Sequence, residues 1–228
     1  MTEPQQNVTF PSGAGEAHGY LVLPPSGSGA GVVVIQEWWG LTTHVADVTR
    51  RLAAEGFVAL APDLYGGVTT HDAAEANTLM SELPEDRAAA DLAGAVDFLL
   101  ARPETTSTAV GAIGFCMGGG FVLSLASQVG DKVSAAVPFY GLPSGSPDLT
   151  KITAKVAGHY GALDEFVPLA AVGETYAAMT AAGVEAEFQT YEAGHAFYND
   201  ENLLGTYDEA NGAAAWSRAV AFLHANVH

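Results

Sequence analysis

The 228-residue chain carries 8 Lys and Arg against 26 Asp and Glu, a formal net charge of −18, with 49% hydrophobic and 15% charged residues. So acidic a chain repels nucleic acid and anionic membrane, and no basic stripe reverses this locally. A chain of this size should bury about 70% of its unfolded surface, enough for one core without disulfide or metal staples, so a single α/β domain over residues 1–228 is expected.

Residues 1–17 are polar, with Pro11, Gly13 and Gly15, and read as a loose or edge segment. Met1–Asn7 has neither the basic nor the apolar stretch of a secretory leader. Gly19–Leu23 reads as an edge strand stopped by Pro24 and Pro25, and Ser26–Gly31 as a turn. Gly31–Gln36 is a continuous apolar run, the signature of a strand covered on both faces. It falls far short of the roughly 20 residues of a membrane span. Thr43–Glu55 places Val45, Val48 and Leu52 at helical spacing and stops at Gly56. Phe57–Ala61 is a second buried strand. His71–Leu83 and Glu85–Arg102 read as helices separated by Pro84. Strands follow at Thr108–Phe115, Val133–Phe139, Lys155–Tyr160 and Ala186–Tyr191, with helices at Met117–Gln128, Pro168–Ala182 and Tyr207–Asn226. A loop rich in Pro, Gly and Ser occupies Gly141–Pro147. The alternation predicts a mostly parallel sheet with helices on both faces. No repeat of fixed period and no linker divides the chain.

Cys116 is the one cysteine. One thiol makes no internal disulfide, no CxxC pair and no Cys-rich zinc site, and with no leader a reducing cytoplasm is the expected compartment. Its surroundings, Gly114-Phe115-Cys116-Met117-Gly118-Gly119, follow the apolar run Val110–Ile113 and open an apolar helix. This is the strand–turn–helix pattern G-x-Nuc-x-G with Cys in the nucleophile place. The turn is tight enough to require Gly two residues to either side, and the helix N-terminus favours thiolate. The Met117 N–H would face a developing oxyanion.

Such a nucleophile needs a base and a group to orient it, in the chain order nucleophile, acid, His. His195 lies in the loop beyond Ala186–Tyr191, flanked by Gly194. Asp164 lies just after Lys155–Tyr160, where it would accept the imidazole N–H and fix its tautomer; Glu165 is a weaker rival. His18, His44, His71, His224 and His228 show no metal spacing, and His159 reads as a packed strand-end residue. There is no P-loop, and Gly27-x-Gly29-x-Gly31 precedes a strand, the wrong order for a dinucleotide site. No cofactor or metal is implied.

Together with Val34-Ile35-Gln36-Glu37-Trp38-Trp39-Gly40, Ala61-Pro62-Asp63-Leu64-Tyr65 and Ala193-Gly194-His195, the Cys116 motif resembles the dienelactone hydrolases, the carboxymethylenebutenolidase family of α/β-hydrolases. The likeness runs from about residue 18 to the C-terminus with the motifs in order. It implies an α/β-hydrolase fold, a triad of Cys116, Asp164 and His195, and an oxyanion hole from the N–H groups of Trp38 and Met117. It also implies that Glu37 touches the cysteine at rest and helps govern its ionisation. Founding members hold the substrate carboxylate with two arginines; here one position is Asn199, and residues 64–86 contain no Arg or Lys. Trp38, Trp39, Tyr140 and Phe197 would then give an aromatic, neutral substrate wall, with Asn199 beside it. The expected activity is hydrolysis of a small ester or lactone, neutral for preference, through an acyl-enzyme, by a monomer or small homo-oligomer. Two rivals are a glutaminase-type amidotransferase, which usually has an acidic residue where Phe197 stands, and a non-catalytic binding protein on the same fold.

Overall fold

The computed structural model describes residues 6–228. Met1–Gln5, and with them most of the segment in which a leader was looked for, lie outside the described residues. Eight strands form one sheet: β1 (Val8–Ser12), β2 (Gly15–Val22), β3 (Gly31–Ile35), β4 (Val58–Pro62), β5 (Val110–Phe115), β6 (Val133–Phe139), β7 (Lys155–Gly161) and β8 (Ala186–Tyr191). Their spatial order is β1-β2-β4-β3-β5-β6-β7-β8. β1 and β2 run antiparallel to their neighbours, and all other pairings are parallel.

The helices are α1 (Thr43–Ala54), α2 (Ala73–Glu82), α3 (Glu85–Leu100), α4 (Met117–Val129), α5 (Leu169–Ala181) and α6 (Glu209–Asn226). Two cores result from strand alternation. Val33 and Ile35 of β3 join Leu92, Val96, Val122 and Tyr176 under α3, α4 and α5. Val32 and Val34 face Val45, Leu52, Ala219 and Leu223 under α1 and α6. Every residue of β3, β4 and β5 is buried, which is why these segments read as unbroken apolar runs.

At the N-terminus the edge reading of residues 1–17 holds for Val8–Ser12, an edge strand in register with β2 from Val8 opposite Gly19 to Ser12 opposite Gly15, while the reading of Gly19–Leu23 changes. β2 therefore starts earlier than the run Gly19–Leu23 and is not an edge: it lies between β1 and β4. At the helix starts, Asp72 and Asp208 accept from the N–H groups of Glu75 and Asn211, so α2 and α6 begin just after these caps and not at His71 or Tyr207.

The chain leaves β3 for β4 on one side and returns to β5 on the other. This reversal opens a crevice at the carboxyl ends of β3 and β5, where side chains from both ends converge. Glu37 and Trp38 follow β3, Cys116 follows β5, Tyr140 follows β6, Asp164 follows β7 and His195 follows β8.

Candidate active site

Cys116 occupies the turn between β5 and α4 with φ 55° and ψ −117°, a left-handed conformation that a side chain takes only under constraint. The constraint is close packing on both sides. A Cβ on Gly114 would run into the Gly118 carbonyl, and one on Gly118 would meet the Gln36 carbonyl oxygen at 2.5 Å. The Cys116 N–H donates to the Phe139 carbonyl at 3.0 Å, and its own carbonyl accepts from Gly119 at 2.9 Å. Tyr140 and Ala196 also have positive φ, 37° and 57°, so three of the loops meeting here are strained.

The sulfur of Cys116 lies 3.1 Å from His195 Nε2, and His195 Nδ1 lies 2.7 Å from Asp164 Oδ2. The other Asp164 oxygen accepts the N–H groups of Phe166 and Val167, each at 2.8 Å. With both oxygens engaged the carboxylate is fixed, and His195 is aimed at the sulfur. The Thr206 hydroxyl donates to the His195 carbonyl and secures the loop from behind. Burial by itself would lower the His195 pKa. The bond to Asp164 and the bond and charge of Cys116 outweigh it and raise the value to about 10.

Glu37 is equally buried, but it faces elsewhere. It accepts from the Tyr140 hydroxyl at 3.1 Å and from Asn199 Nδ2 at 2.5 Å. Asn199 Oδ1 in turn accepts from the Glu201 N–H. Among the described residues no hydrogen bond joins Glu37 to Cys116, where the resting contact was expected; the sulfur pairs with His195 instead. Burial, then the Glu37 and Cys116 charges, hold the Tyr140 phenol well above its ordinary pKa, so it stays a hydrogen-bond donor.

The site opens into a cavity of about 190 Å³ whose wall includes Trp38, Tyr140, Leu142, Phe166 and Leu204, with Cys116, Met117 and His195 at its base. No Lys or Arg lines it. Tyr140 therefore stands on the wall, as expected of it. Trp39, Phe197 and Asn199 do not. Trp39 is buried edge-on behind Trp38, with ring centroids 4.8 Å apart. Phe197 lies beneath Tyr140 and Tyr191 in the core, and the amide of Asn199 is spent on Glu37. Phe166 takes the place reserved for them, its ring centroid 5.0 Å from that of His195. An aromatic two residues after Asp164 in the same loop was the available signal for it. The Met117 and Trp38 N–H groups donate to no protein acceptor among the described residues. No group of three or more metal-ligating side chains occurs among them either, and no helix there is long and apolar enough to cross a membrane.

A strained Cys at a strand–helix turn, a His after the last strand and an Asp after the strand before it, all on a mostly parallel sheet, define an α/β-hydrolase. The model of the dienelactone hydrolase family matches residues 17–227, and the chain belongs to that family, a hydrolase of the ester and lactone type. It is 35% identical over 225 residues to the protein usf of Aquifex pyrophilus, covering 95% of this chain and 96% of that one. A protein of Aquifex aeolicus provisionally named a carboxymethylenebutenolidase is 33% identical over 229 residues, with the same coverage of 95% and 96%. Among solved structures, a protein of Klebsiella pneumoniae provisionally named a dienelactone hydrolase superposes with a TM-score of 0.85 at 30% identity, covering 98% of this chain and 97% of that one.

Proposed function

We propose that the chain, acting as one catalytic domain, hydrolyses neutral carboxylic esters or lactones through a thioester on Cys116. The observation that carries this reading is the continuous line from sulfur to imidazole to carboxylate, 3.1 Å and 2.7 Å long. An imidazolium beside a sulfur favours the thiolate, the nucleophilic form. The thiolate adds to the acyl carbon, and the carbonyl oxygen takes the negative charge between the Met117 and Trp38 N–H groups. As the C–O bond breaks, His195 gives its proton to the leaving alkoxide. Neutral His195 then takes a proton from water, which attacks the thioester. The C–S bond breaks, the acid leaves, and sulfur and imidazole return to their starting charges. Asp164 orients the ring throughout.

The neutral preference follows from the wall. A carboxylate entering the cavity loses hydration with no cation to pair with, a cost of several kcal/mol for a buried ion. Asn199, at a position where the founding members of the family carry arginine, is bound to Glu37 and does not face the cavity. The acidic field of the whole chain adds a weaker, salt-screened repulsion.

Trapping tests the reading. Rapid quenching of turnover with a panel of neutral esters and lactones, followed by peptide mass spectrometry, should show the acyl mass on Cys116. An acyl group on another residue, or hydrolysis retained by Cys116→Ala, overturns it. Ammonia release from glutamine would point to the amidotransferase alternative instead.

A further inference from the structure

The cavity over Cys116 does not end at Leu142. Met80, Met117 and Leu142 also line a neighbouring space of about 400 Å³. That space shares Glu85, Phe121, Ser124 and Ser144 with a third, of about 250 Å³. The three form one groove. Its floor is a single stripe of α4: Met117, Phe121, Ser124 and Gln128 recur at steps of four, three and four, one face of a helix. One wall is the break between α2 and α3, and the other is the loop that begins at Leu142. Floor and loop are locked together, since a Cβ on Gly120 would collide with the Leu142 carbonyl.

The lining nearest the sulfur is apolar and adaptable, with Met80, Met117, Leu142 and then Phe121. The hydroxyls of Ser124 and Ser144 come further out. No Lys or Arg lines any part of the groove, and its one charged group other than the site itself is the Glu85 carboxylate where the second and third spaces meet. An anionic terminus would meet a like charge there and no partner.

We propose that this groove is a substrate subsite that holds one arm of an elongated ester, a linear aliphatic chain without an anionic end. The chain runs from the acyl carbon at Cys116 over Met117 and Phe121 toward Ser124. The proposal rests on Cys116 being the nucleophile, and it adds the length and polarity of the substrate. Binding energy gained along α4, remote from the reacting bond, is available to align that bond at the sulfur.

The experiment pairs two probes on the full chain and on Ser124→Trp and Ser144→Trp, which fill the groove from opposite sides. One probe is a series of unbranched methyl ketones, which present a carbonyl and cannot be hydrolysed, followed by calorimetry. The other is a matched series of unbranched esters, followed by kcat/KM. The expected result is affinity rising about two- to fourfold per methylene until the groove is full, with kcat/KM rising in step. Each Trp variant should lose that gain while the shortest ketone and ester stay within about twofold of the parent. Ser144 lies in an exposed loop, so its variant keeps the test meaningful if the helix variant folds poorly. Affinity independent of length, or a gain that survives in both variants, overturns the proposal. An acyl adduct on Cys116 with a flat length series overturns the groove alone. Length-dependent ketone binding with no adduct on Cys116 overturns the nucleophile alone.

Discussion

Two carboxylates sit at the carboxyl ends of the strands, Asp164 and Glu37, and both are buried. Burial does not separate their roles; their partners do. Asp164 faces a ring that can carry a positive charge and is backed by two N–H donors of its own loop. Glu37 is held by a phenol and an amide, both neutral. The first arrangement is coupled to a proton that moves. The second fixes Tyr140, which walls the cavity, and Asn199, which anchors the loop running on to Glu201. One carboxylate is placed to serve the chemistry and the other to hold the shape around it.

The largest effect expected is at the sulfur. Cys116→Ala should lower ester kcat/KM by about a hundred-thousandfold or more with an unchanged circular dichroism spectrum, since the attacking atom itself is removed. Near-parental turnover would end the proposal. Asp164→Asn should come next, about a thousand- to ten-thousandfold down in kcat, because the amide favours the wrong imidazole tautomer. It should also move the pH profile of Cys116 alkylation by a small neutral reagent. Glu37→Gln should move that profile much less, because Glu37 makes no hydrogen bond to the sulfur. Its main cost should be stability, about 1–3 kcal/mol, as an amide N–H₂ is turned toward one of two donors. Equal displacement of the alkylation profile by both variants would erase the distinction drawn between the two carboxylates.

Stability against pH sharpens the same contrast. The folded-state pKa of His195, about 10, lies above the ordinary 6.5. Its contribution is therefore fully present below about pH 6.5 and is lost as pH rises through about 10, with a slope of at most about 1.4 kcal/mol per pH unit. Denaturant titrations should show this decline in the parent and a flatter one in His195→Gln. An equal decline in both would assign the slope to other groups. The smallest effect concerns substrate charge. A carboxylate added beside the scissile bond should lower kcat/KM at both low and high salt, with high salt recovering only part of the loss. Full recovery at high salt would mean that the global charge alone was responsible.

The site was legible where its chemistry is written in adjacent residues. Gly114, Cys116 and Gly118 announce the turn because the backbone of α4 comes so close to the ends of β3 and β5 that each glycine has a local steric reason. Asp164 and His195 follow from chain order, since each stands just past a buried strand. The walls were not legible in this way. Phe197 and Phe166 are both aromatic residues in loops beside a catalytic candidate, but Phe197 turns into the core while Phe166 is 66% exposed over His195. Only the path of each loop decides that, and nothing periodic in the sequence records it. Asn199 likewise gave no sign that its amide belongs to Glu37, 162 residues away. At the N-terminus, Val8–Ser12 does alternate, with Phe10 buried between exposed Thr9 and Pro11, but only over five residues and with a proline that argues against a strand in the sequence.

The two N–H groups that hold Asp164 belong to Phe166 and Val167, and both of these residues also line the cavity. The carboxylate proposed to orient His195 and part of the cavity wall are thus one short piece of backbone. An insertion or deletion that reshapes this side of the pocket must also move the carboxylate, so under the proposed mechanism it would change activity along with selectivity. Leu142 and Met80, across the cavity, come from segments that supply no bond to the Cys116–His195–Asp164 line. The loop after Tyr140 is packed onto α4, so the wall freest to change is the break between α2 and α3 around Met80, and substitutions there would alter substrate scope with the proposed chemistry left in place.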